Sequence, residues 1–143
     1  MKIAKQLNIK TFPFEIKDSD GKVIYREDSD GYWEKREWVD GKEIYFEDSD
    51  GFWVKREWDG GKEIRSEYSD GYWEKREWVD GKVIYREDSR GFWVKMEWVD
   101  GKVIYWENSD GIIRDKRPKT DIQKAIDLLT KEGLLRDGKI LKN

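Results

Sequence analysis

A glycine stands at every tenth position between 21 and 111, and this period limits what the chain can fold into. Asp directly precedes the glycine at all of these positions except two, where Gly60 and Arg90 take its place. An Asp-Gly pair between stretches that alternate apolar and charged residues is a strong signal for a tight β-hairpin turn. Each decamer can supply one strand of about six or seven residues and one turn.

The decamers are of two kinds that alternate along the chain. One reads G-Y/F-W-x-K-R-E-W-V-D and the other reads G-K-x-I-Y-x-E-D-S-D, so that residues 31–50 return almost unchanged as residues 71–90. A repeat unit of this size buries its side chains only against its neighbours. The sequence therefore predicts an all-β fold, an extended antiparallel β-meander of about ten strands built from ten-residue repeats, with a short C-terminal α-helix.

The parity of the apolar residues predicts the register of the strands. A two-residue Asp-Gly loop pairs odd with even positions, whereas a three-residue Ser-Asp-Gly or Val-Asp-Gly loop pairs even with even. A slip by one residue would divide the apolar side chains between the two faces of the sheet, so we expect three-residue loops. The apolar residues at even positions are Phe12, Phe14, Ile16, Ile24, Tyr32, Trp38, Ile44, Phe46, Phe52, Val54, Trp58, Ile64, Trp78, Ile84, Phe92, Val94, Met96, Trp98, Ile104 and Trp106.

This register places residues of one type in columns across the sheet. On the face of the odd-numbered residues we expect two columns in which charged side chains alternate with aromatic rings, each cross-strand pair contributing a few tenths to ~1 kcal/mol. The first column holds Lys35, Tyr45, Lys55, Arg65, Lys75, Tyr85, Lys95 and Tyr105, and the second holds Trp33, Glu47, Trp53, Glu67, Trp73, Glu87, Trp93 and Glu107. A column of like charges is the weak point of this register, and it consists of Glu37, Glu43, Glu57, Glu63 and Glu77.

We expect three parts along the chain: an N-terminal segment of residues 1–10, a β-hairpin repeat sheet of residues 11–115, and a C-terminal helix and tail of residues 116–143. The charge changes at nearly the same places. Residues 11–110 hold 17 Lys/Arg and 27 Asp/Glu, a net charge of -10. Residues 111–143 hold nine Lys/Arg and five Asp/Glu, a net charge of +4. An acidic middle is therefore flanked by mildly basic ends.

Residues 120–132, TDIQKAIDLLTKE, predict the helix. Thr120 and Gln123 match a capping box at its start, and Gly133 is the expected stop. We expect the helix to cap a few strands of a sheet that would be ~48 Å wide. Residues 134–142 predict a small final hairpin around Asp137 and Gly138. The apolar stripe of the helix consists of Ile122, Ala125, Ile126 and Leu129.

The residue types that most enzymes and metal sites use are missing, because the chain has no His and no Cys. Acidic residues occur throughout, so no pair of carboxylates is marked as a catalytic acid and base. The DSDG turns at 18–21, 28–31 and 48–51 resemble the start of a calcium loop, but such a loop needs a further acid at fixed spacing, and Asp and Ser favour turns for backbone reasons. We expect no enzymatic activity, no metal and no cofactor.

Exposed aromatic rings and acidic turns are the features that predict binding to a partner. Aromatic side chains are frequent anchors of protein interfaces, and a row of carboxylates can meet a basic groove of another protein. The predicted partner-binding residues are Trp33, Trp53, Trp73, Trp93, Tyr45 and Tyr85 on the odd face, and Asp30, Asp50 and Asp70 on the rim of the sheet.

Three stretches of the chain resemble the tandem β-hairpin repeats of phage and mobile-element proteins, whose units read like YENSDGYWEKREYDENGNEI. They are YREDSDGYWEKREW at 25–38, YFEDSDGFWVKREW at 45–58 and YREDSRGFWVKMEW at 85–98, and the resemblance covers residues 18–111. It implies a phage or mobile-element setting. The rhythm is also distantly similar to the MORN-like repeats of YwqK-type antitoxins, whose period is slightly longer. Small non-enzymatic phage proteins often inhibit host defence, anti-CRISPR proteins among them, so the resemblance implies an anti-defence role by analogy.

The expected function is therefore non-enzymatic binding to a host protein, such as a nucleic-acid-handling defence complex, in the cytoplasm of a host bacterium. The acidic sheet opposes direct nucleic-acid binding, and no apolar run is long enough to cross a membrane. Two alternatives stay open. Residues 38–53, WVDGKEIYFEDSDGFW, look like the aromatic hairpins of choline- and glucan-binding repeats, which suggests a carbohydrate- or wall-binding module. Exposed edge strands and apolar area suggest a self-associating structural protein, such as a homodimer.

Overall fold

The chain forms one antiparallel sheet of eleven strands, in which every strand lies beside the strands that precede and follow it in sequence. The computed structural model describes residues 2–136 and 139–140. The predicted meander is confirmed, with one strand more than the decamers suggested. The strands are β1 Phe14–Lys17, β2 Val23–Glu27, β3 Trp33–Val39, β4 Lys42–Asp48, β5 Trp53–Asp59, β6 Lys62–Tyr68, β7 Trp73–Val79, β8 Lys82–Asp88, β9 Trp93–Val99, β10 Lys102–Asn108 and β11 Ile113–Asp115.

Short elements precede and follow the sheet. A one-turn helix, α1 Ile3–Gln6, lies at the N-terminus, where no helix was predicted. The predicted C-terminal helix is α2 Asp121–Lys131. It is followed by β12 Leu135–Arg136 and β13 Lys139–Ile140, which pair with each other as the final hairpin requires, although its turn at residues 137–138 lies outside the described residues.

The turns of Ser-Asp-Gly type have the three-residue loop that the sequence predicts. Between β4 and β5, the Asp48 N–H donates to the Phe52 carbonyl at 2.9 Å, and the Gly51 N–H donates to the Asp48 carbonyl at 3.2 Å. Gly51 has a φ of 88°, which is the left-handed conformation that closes such a loop. The same two bonds recur in the turns that end at residues 22, 32, 72, 92 and 112. We call these the SDG turns.

The other turns differ from the prediction. Val39 pairs with Lys42, so the loop between β3 and β4 holds only Asp40 and Gly41, with φ values of 49° and 74°. The three-residue loop predicted here is wrong because Asp-Gly accepts positive φ at both positions, and a two-residue turn of that shape follows the natural twist of the strands. The strand pairs β3–β4, β5–β6, β7–β8 and β9–β10, which share this turn, are called the VDG hairpins.

A β-bulge in each VDG hairpin restores the predicted even-with-even pairing. Glu37 pairs with Tyr45 while Trp38 pairs with Glu43, so Ile44 is an extra residue that faces no partner. Past this bulge, even positions face even positions for the rest of the hairpin. The bulge recurs in the other three VDG hairpins. The first hairpin is an exception, because its bulge leaves β1 and β2 paired even with odd.

The bulge also breaks the predicted columns at each VDG hairpin, because it shifts the register there by two residues. Across the SDG turns the predicted pairs, such as Tyr45 with Lys55 and Glu47 with Trp53, are confirmed. Lys35 faces Glu47 instead of Tyr45, and Tyr45 faces Glu37. Glu43 lies on the opposite face, so the predicted column of like-charged glutamates does not form. Each twenty-residue unit is displaced along the strands by two residues, ~7 Å, relative to the unit before it.

Most of the sheet is a single layer. The N-terminal segment packs on β2, where Ala4 is 1% exposed and donates its N–H to Glu27 at 2.8 Å. In the described part of the chain, no helix packs on β4–β10. The prediction that α2 caps the sheet is wrong: none of its residues is buried, Ile122 is 75% exposed, and the helix contacts β12. The segment just before the helix contacts the sheet through a charged side chain, Arg117, which pairs with Glu97 at 3.2 Å, and such a polar contact gives the apolar stripe no surface to cover.

We predict that Gly81→Ala destabilises the sheet through backbone strain alone. Gly81 has a φ of 74°, and a Cβ at this position would meet no atom within 4 Å. The left-handed conformation should cost about 1–2 kcal/mol in Ala, measured as a lower urea midpoint by Trp fluorescence. Asn tolerates this conformation better, so Gly81→Asn is the matched control and should lose less than half as much. Equal losses in the two variants would contradict the turn geometry.

Candidate binding surfaces on the two faces of the sheet

The predicted odd-face tryptophans lie on one face in an oblique row, and each is half-buried. We call this the odd face. Trp53 lies opposite Glu47, and the Lys55 ammonium stands 5.0 Å from the centre of the Trp53 ring. Lys75 and Lys95 stand over Trp73 and Trp93 in the same way. These cations cover part of each ring and present positive charge at the surface.

Trp33 differs from the other three tryptophans of the row. Its ring stacks on Tyr25 at a centroid distance of 6.3 Å. Tyr25 itself is buried beneath the N-terminal segment and donates its hydroxyl to Glu27. The other three rings, Trp53, Trp73 and Trp93, stack on no aromatic ring within the described residues and are each flanked by a lysine.

The two predicted tyrosines also lie on the odd face, each next to a glutamate of its own strand. The Tyr45 hydroxyl donates to Glu47 at 3.2 Å, and the Tyr85 hydroxyl donates to Glu87 at 3.3 Å. Burial, followed by the charge of the neighbouring glutamate, raises the pKa of each phenol. Both hydroxyls thus serve as hydrogen-bond donors within the sheet.

The predicted rim aspartates are exposed, but two of them hold their own turns. Asp30 accepts from the Tyr32 N–H at 3.0 Å, and Asp70 accepts from the Tyr72 N–H at 2.9 Å. In the turn that contains Asp50 this role belongs to Asp48, whose carboxylate accepts from the Phe52 N–H at 3.2 Å and from the Asp50 N–H at 2.9 Å. Asp30 and Asp70 are thus turn-stabilising residues as well as candidate binding residues.

A second set of tryptophans bridges neighbouring hairpins on the opposite face, which we call the even face. Between β4 and β5 only three residue pairs form, next to the SDG turn, and the strands part beyond them. Trp58 lies in this gap and donates its Nε1–H to the Glu43 carbonyl at 2.9 Å, while Lys42 stands over its ring. The sequence places these rings on the even face but does not reveal the hydrogen bonds. The equivalent bonds run from Trp38 to Val23, from Trp78 to Glu63 and from Trp98 to Val83.

The gap between the first two VDG hairpins forms an open groove of about 790 Å³. Ile44, Lys55 and Trp58 contribute to its walls, and the double glycine of the β5–β6 turn lines one end. An open groove of this kind holds no enclosed reaction site. Among the described residues, no group of acidic side chains is arranged to hold a metal ion.

An ion-pair network crosses the even face from β3 to β7, and sequence reasoning missed it. Glu43 lies between Arg36 at 3.3 Å and Arg56 at 2.5 Å. Glu63 lies between Arg56 at 3.9 Å and Arg76 at 3.3 Å. Only the two-residue displacement between units brings each glutamate between two arginines. Glu34 and Glu74 complete the network at its two ends.

Aromatic rings form a further row on the even face, beside the SDG turns. Ring centroids are 6.1 Å apart for Phe46 and Phe52, 6.3 Å for Phe52 and Tyr68, and 5.9 Å for Tyr68 and Tyr72. Among the described residues these four rings form the longest run of aromatic contacts in the sheet.

The comparisons with known proteins define no family for this chain. No family model matches the sequence, and no curated protein matches it. Among solved structures, a mutant of S. aureus TarM in complex with Fondaparinux, alpha-GlcNAc-glycerol and UDP aligns with 91% of this chain and 26% of its own, at 15% identity and a TM-score of 0.26. A likeness at that level carries no argument about function. Neither helix in the described part of the chain has the length and apolar run needed to span a bilayer.

We predict that Trp58→Phe destabilises the protein by about 1–2 kcal/mol. Phe keeps an aromatic ring in the gap but leaves the Glu43 carbonyl without its donor. The matched control is Trp106→Phe, since Trp106 lies on the same face and donates no Nε1 hydrogen bond within the described residues. Urea unfolding monitored by circular dichroism gives the difference. A loss in the Trp106 variant as large as in the Trp58 variant would contradict the bridging role.

We predict that Tyr32 makes stability depend on alkaline pH. Burial, with Asp48 and Glu34 beside the hydroxyl, raises the pKa of Tyr32 to about 12. The unfolded pKa stays near 10, so the contribution is complete below about pH 10 and is lost as the pH rises towards 12. Urea midpoints measured across this range should fall less steeply for Tyr32→Phe than for the unsubstituted protein. Equally steep curves would contradict the assignment.

Proposed function

We propose that this chain is a non-enzymatic binding protein whose odd face docks on a protein partner. The observation that carries the proposal is the row of half-buried Trp53, Trp73 and Trp93 on a continuous sheet, each ring flanked by a lysine that leaves part of it exposed. Successive tryptophans of the row are separated by two strands and by the displacement of two residues, a distance of about 12 Å. Large, half-exposed aromatic side chains at that spacing suit a broad protein interface better than a small-molecule pocket.

The charge of the sheet favours a basic protein as the partner. Residues 11–110 carry a net charge of -10. On the odd face itself, the five cations beside the rings are outnumbered by the seven glutamates at positions 37, 47, 57, 67, 77, 87 and 97, so this face repels nucleic-acid phosphates and attracts Lys- and Arg-rich surfaces. Nucleic-acid-handling proteins present such surfaces. The resemblance of the repeats to phage and mobile-element proteins supports a host defence complex, such as a CRISPR effector, as the target of inhibition. This setting rests on analogy with those repeats.

The carbohydrate-binding alternative finds less support in the geometry. A sugar ring stacks on a free aromatic face, whereas Lys55, Lys75 and Lys95 stand over the rings of the odd face. Self-association remains the main competitor, because β1 and β11 leave unpaired edges at the two ends of the sheet.

We expect the tagged protein to retain one host protein or complex from nuclease-treated bacterial lysate, identified by mass spectrometry. The double variant Trp53→Ala/Trp73→Ala should lose that protein, because it removes the two central rings of the row. Phe52→Ala is the matched control: Phe52 precedes Trp53 but packs with the even-face aromatic row, so this variant should still retain the partner.

Two further measurements test the role of the captured protein. Retention should weaken as salt is raised from low to high concentration, because the attraction is between an acidic sheet and a basic surface. Expression of the chain should restore plaque formation by a phage on a strain defended by the captured system. Recovery of the chain alone, or equal retention by the double variant and the unsubstituted protein, would overturn the proposal.

A further inference from the structure

Two arginines face each other on the even face of the β7–β8 hairpin. Arg76 pairs with Arg86 across the strands, and like charges in directly opposite positions destabilise a sheet. Arg76 is neutralised by Glu63 and Glu74. Arg86 is half-buried and has no acidic partner among the described residues. Its guanidinium therefore carries unused hydrogen-bond donors.

The other hairpins do not repeat this arrangement. The positions equivalent to Arg86 hold Phe46, Ser66 and Trp106, while Arg26 in β2 has its own acid, Asp28, at 3.4 Å. The uncompensated arginine is therefore a local departure from the repeat, and the repeat itself does not require it.

The neighbouring turn adds to the positive charge. Arg90 stands where most of the other turns carry Asp; it binds Asp88 at 2.9 Å and lies over the Tyr72 ring. The positions 74, 76, 86, 88 and 90 together hold three arginines and two acids, a net charge of +1. The equivalent positions 34, 36, 46, 48 and 50 hold one arginine and three acids, a net charge of -2. One hairpin of an acidic sheet is thus locally basic.

Apolar side chains border the arginine pair on the side towards β11. Across β8 and β9, Arg86 faces Val94, and across β9 and β10, Met96 faces Trp106. Met96 occupies the position that holds an arginine in the three preceding VDG hairpins, and Val83 and Val103 replace the glutamates of the ion-pair network. The network therefore ends at Arg76, and an apolar stretch begins beside Arg86.

We propose that Arg76 and Arg86 bind a carboxylate on an acidic, partly apolar segment of a partner protein. A planar carboxylate accepts hydrogen bonds from guanidinium groups in a fixed geometry. It would relieve the repulsion between the two arginines, while an apolar neighbour in the segment packs on Met96, beside the Trp106 ring that Arg114 partly covers at 5.7 Å. A nucleic acid fits less well, because its many phosphates would also meet the acidic remainder of the sheet. This site lies on the face opposite the odd-face tryptophans and stands independently of the function proposed for them.

The test uses a fluorescein-labelled synthetic peptide of Glu, Leu and Gly, with the full-length protein and anisotropy as the readout. We expect Arg86→Met to weaken binding about tenfold or more, which corresponds to about 1.4 kcal/mol. The matched control is Arg26→Met, at the same position in β2 but paired with Asp28, and it should leave the affinity within about twofold. The same peptide with Gln in place of Glu should not bind.

Stability and competing ligands complete the test. Arg86→Met should unfold at a urea midpoint no lower than the unsubstituted protein, because the repulsion with Arg76 is removed. If Arg86→Met does not fold, Arg86→Phe serves as the second variant, because Phe46 occupies the equivalent position in the first VDG hairpin. Equal losses for Arg86→Met and Arg26→Met, or equal binding of the Gln peptide, would overturn the proposal. Tighter Arg86-dependent binding of single-stranded DNA, or an Arg86-dependent dimer in sedimentation without peptide, would overturn the assignment to an acidic partner segment.

Discussion

The hydrogen bond from a tryptophan indole to a backbone carbonyl of the preceding hairpin is the interaction on which the sheet depends. A sheet that is mostly a single layer buries few apolar side chains, so its stability comes mainly from contacts between neighbouring strands. Six residue pairs join β3 to β4, but only three join β4 to β5. Trp58 and its three equivalents occupy the gaps that remain, with a lysine over each ring. Each twenty-residue unit carries its own bridge, which explains how the sheet extends without a second layer.

The two-residue displacement between units gives the two faces different characters. On the even face it places Glu43 and Glu63 between arginines, so that charged side chains neutralise one another across strands. On the odd face it arranges the tryptophans in an oblique row beside lysines. The proposed docking of a basic protein uses the odd face, and the proposed carboxylate site uses Arg86, where the even-face network stops. The proposed carboxylate site lies where the sequence departs from the repeat.

The sequence was sufficient to predict the meander, the SDG turns and the faces on which most side chains lie. Apolar and charged residues alternate along each strand, so odd-numbered and even-numbered positions can be assigned directly to opposite faces. It was not sufficient to predict the bulge at Ile44. A two-residue loop with a bulge and a three-residue loop both pair even positions with even positions. They differ only in the register of the two strands, by two residues. The ion-pair network and the indole bridges depend on that shift, so they were missed. The capping role expected for α2 was wrong because an apolar stripe does not specify what covers it.

Hydrogen exchange of the nine indole Nε1–H groups, followed by NMR in dilute solution, tests the central claim most directly. We expect slow exchange for Trp38, Trp58, Trp78 and Trp98, whose indoles donate to backbone carbonyls. We expect fast exchange for the other five, since half-buried indoles that donate no Nε1 hydrogen bond within the described residues exchange without local opening. Similar rates for all nine indoles would contradict the claim that tryptophan bridges hold the hairpins together.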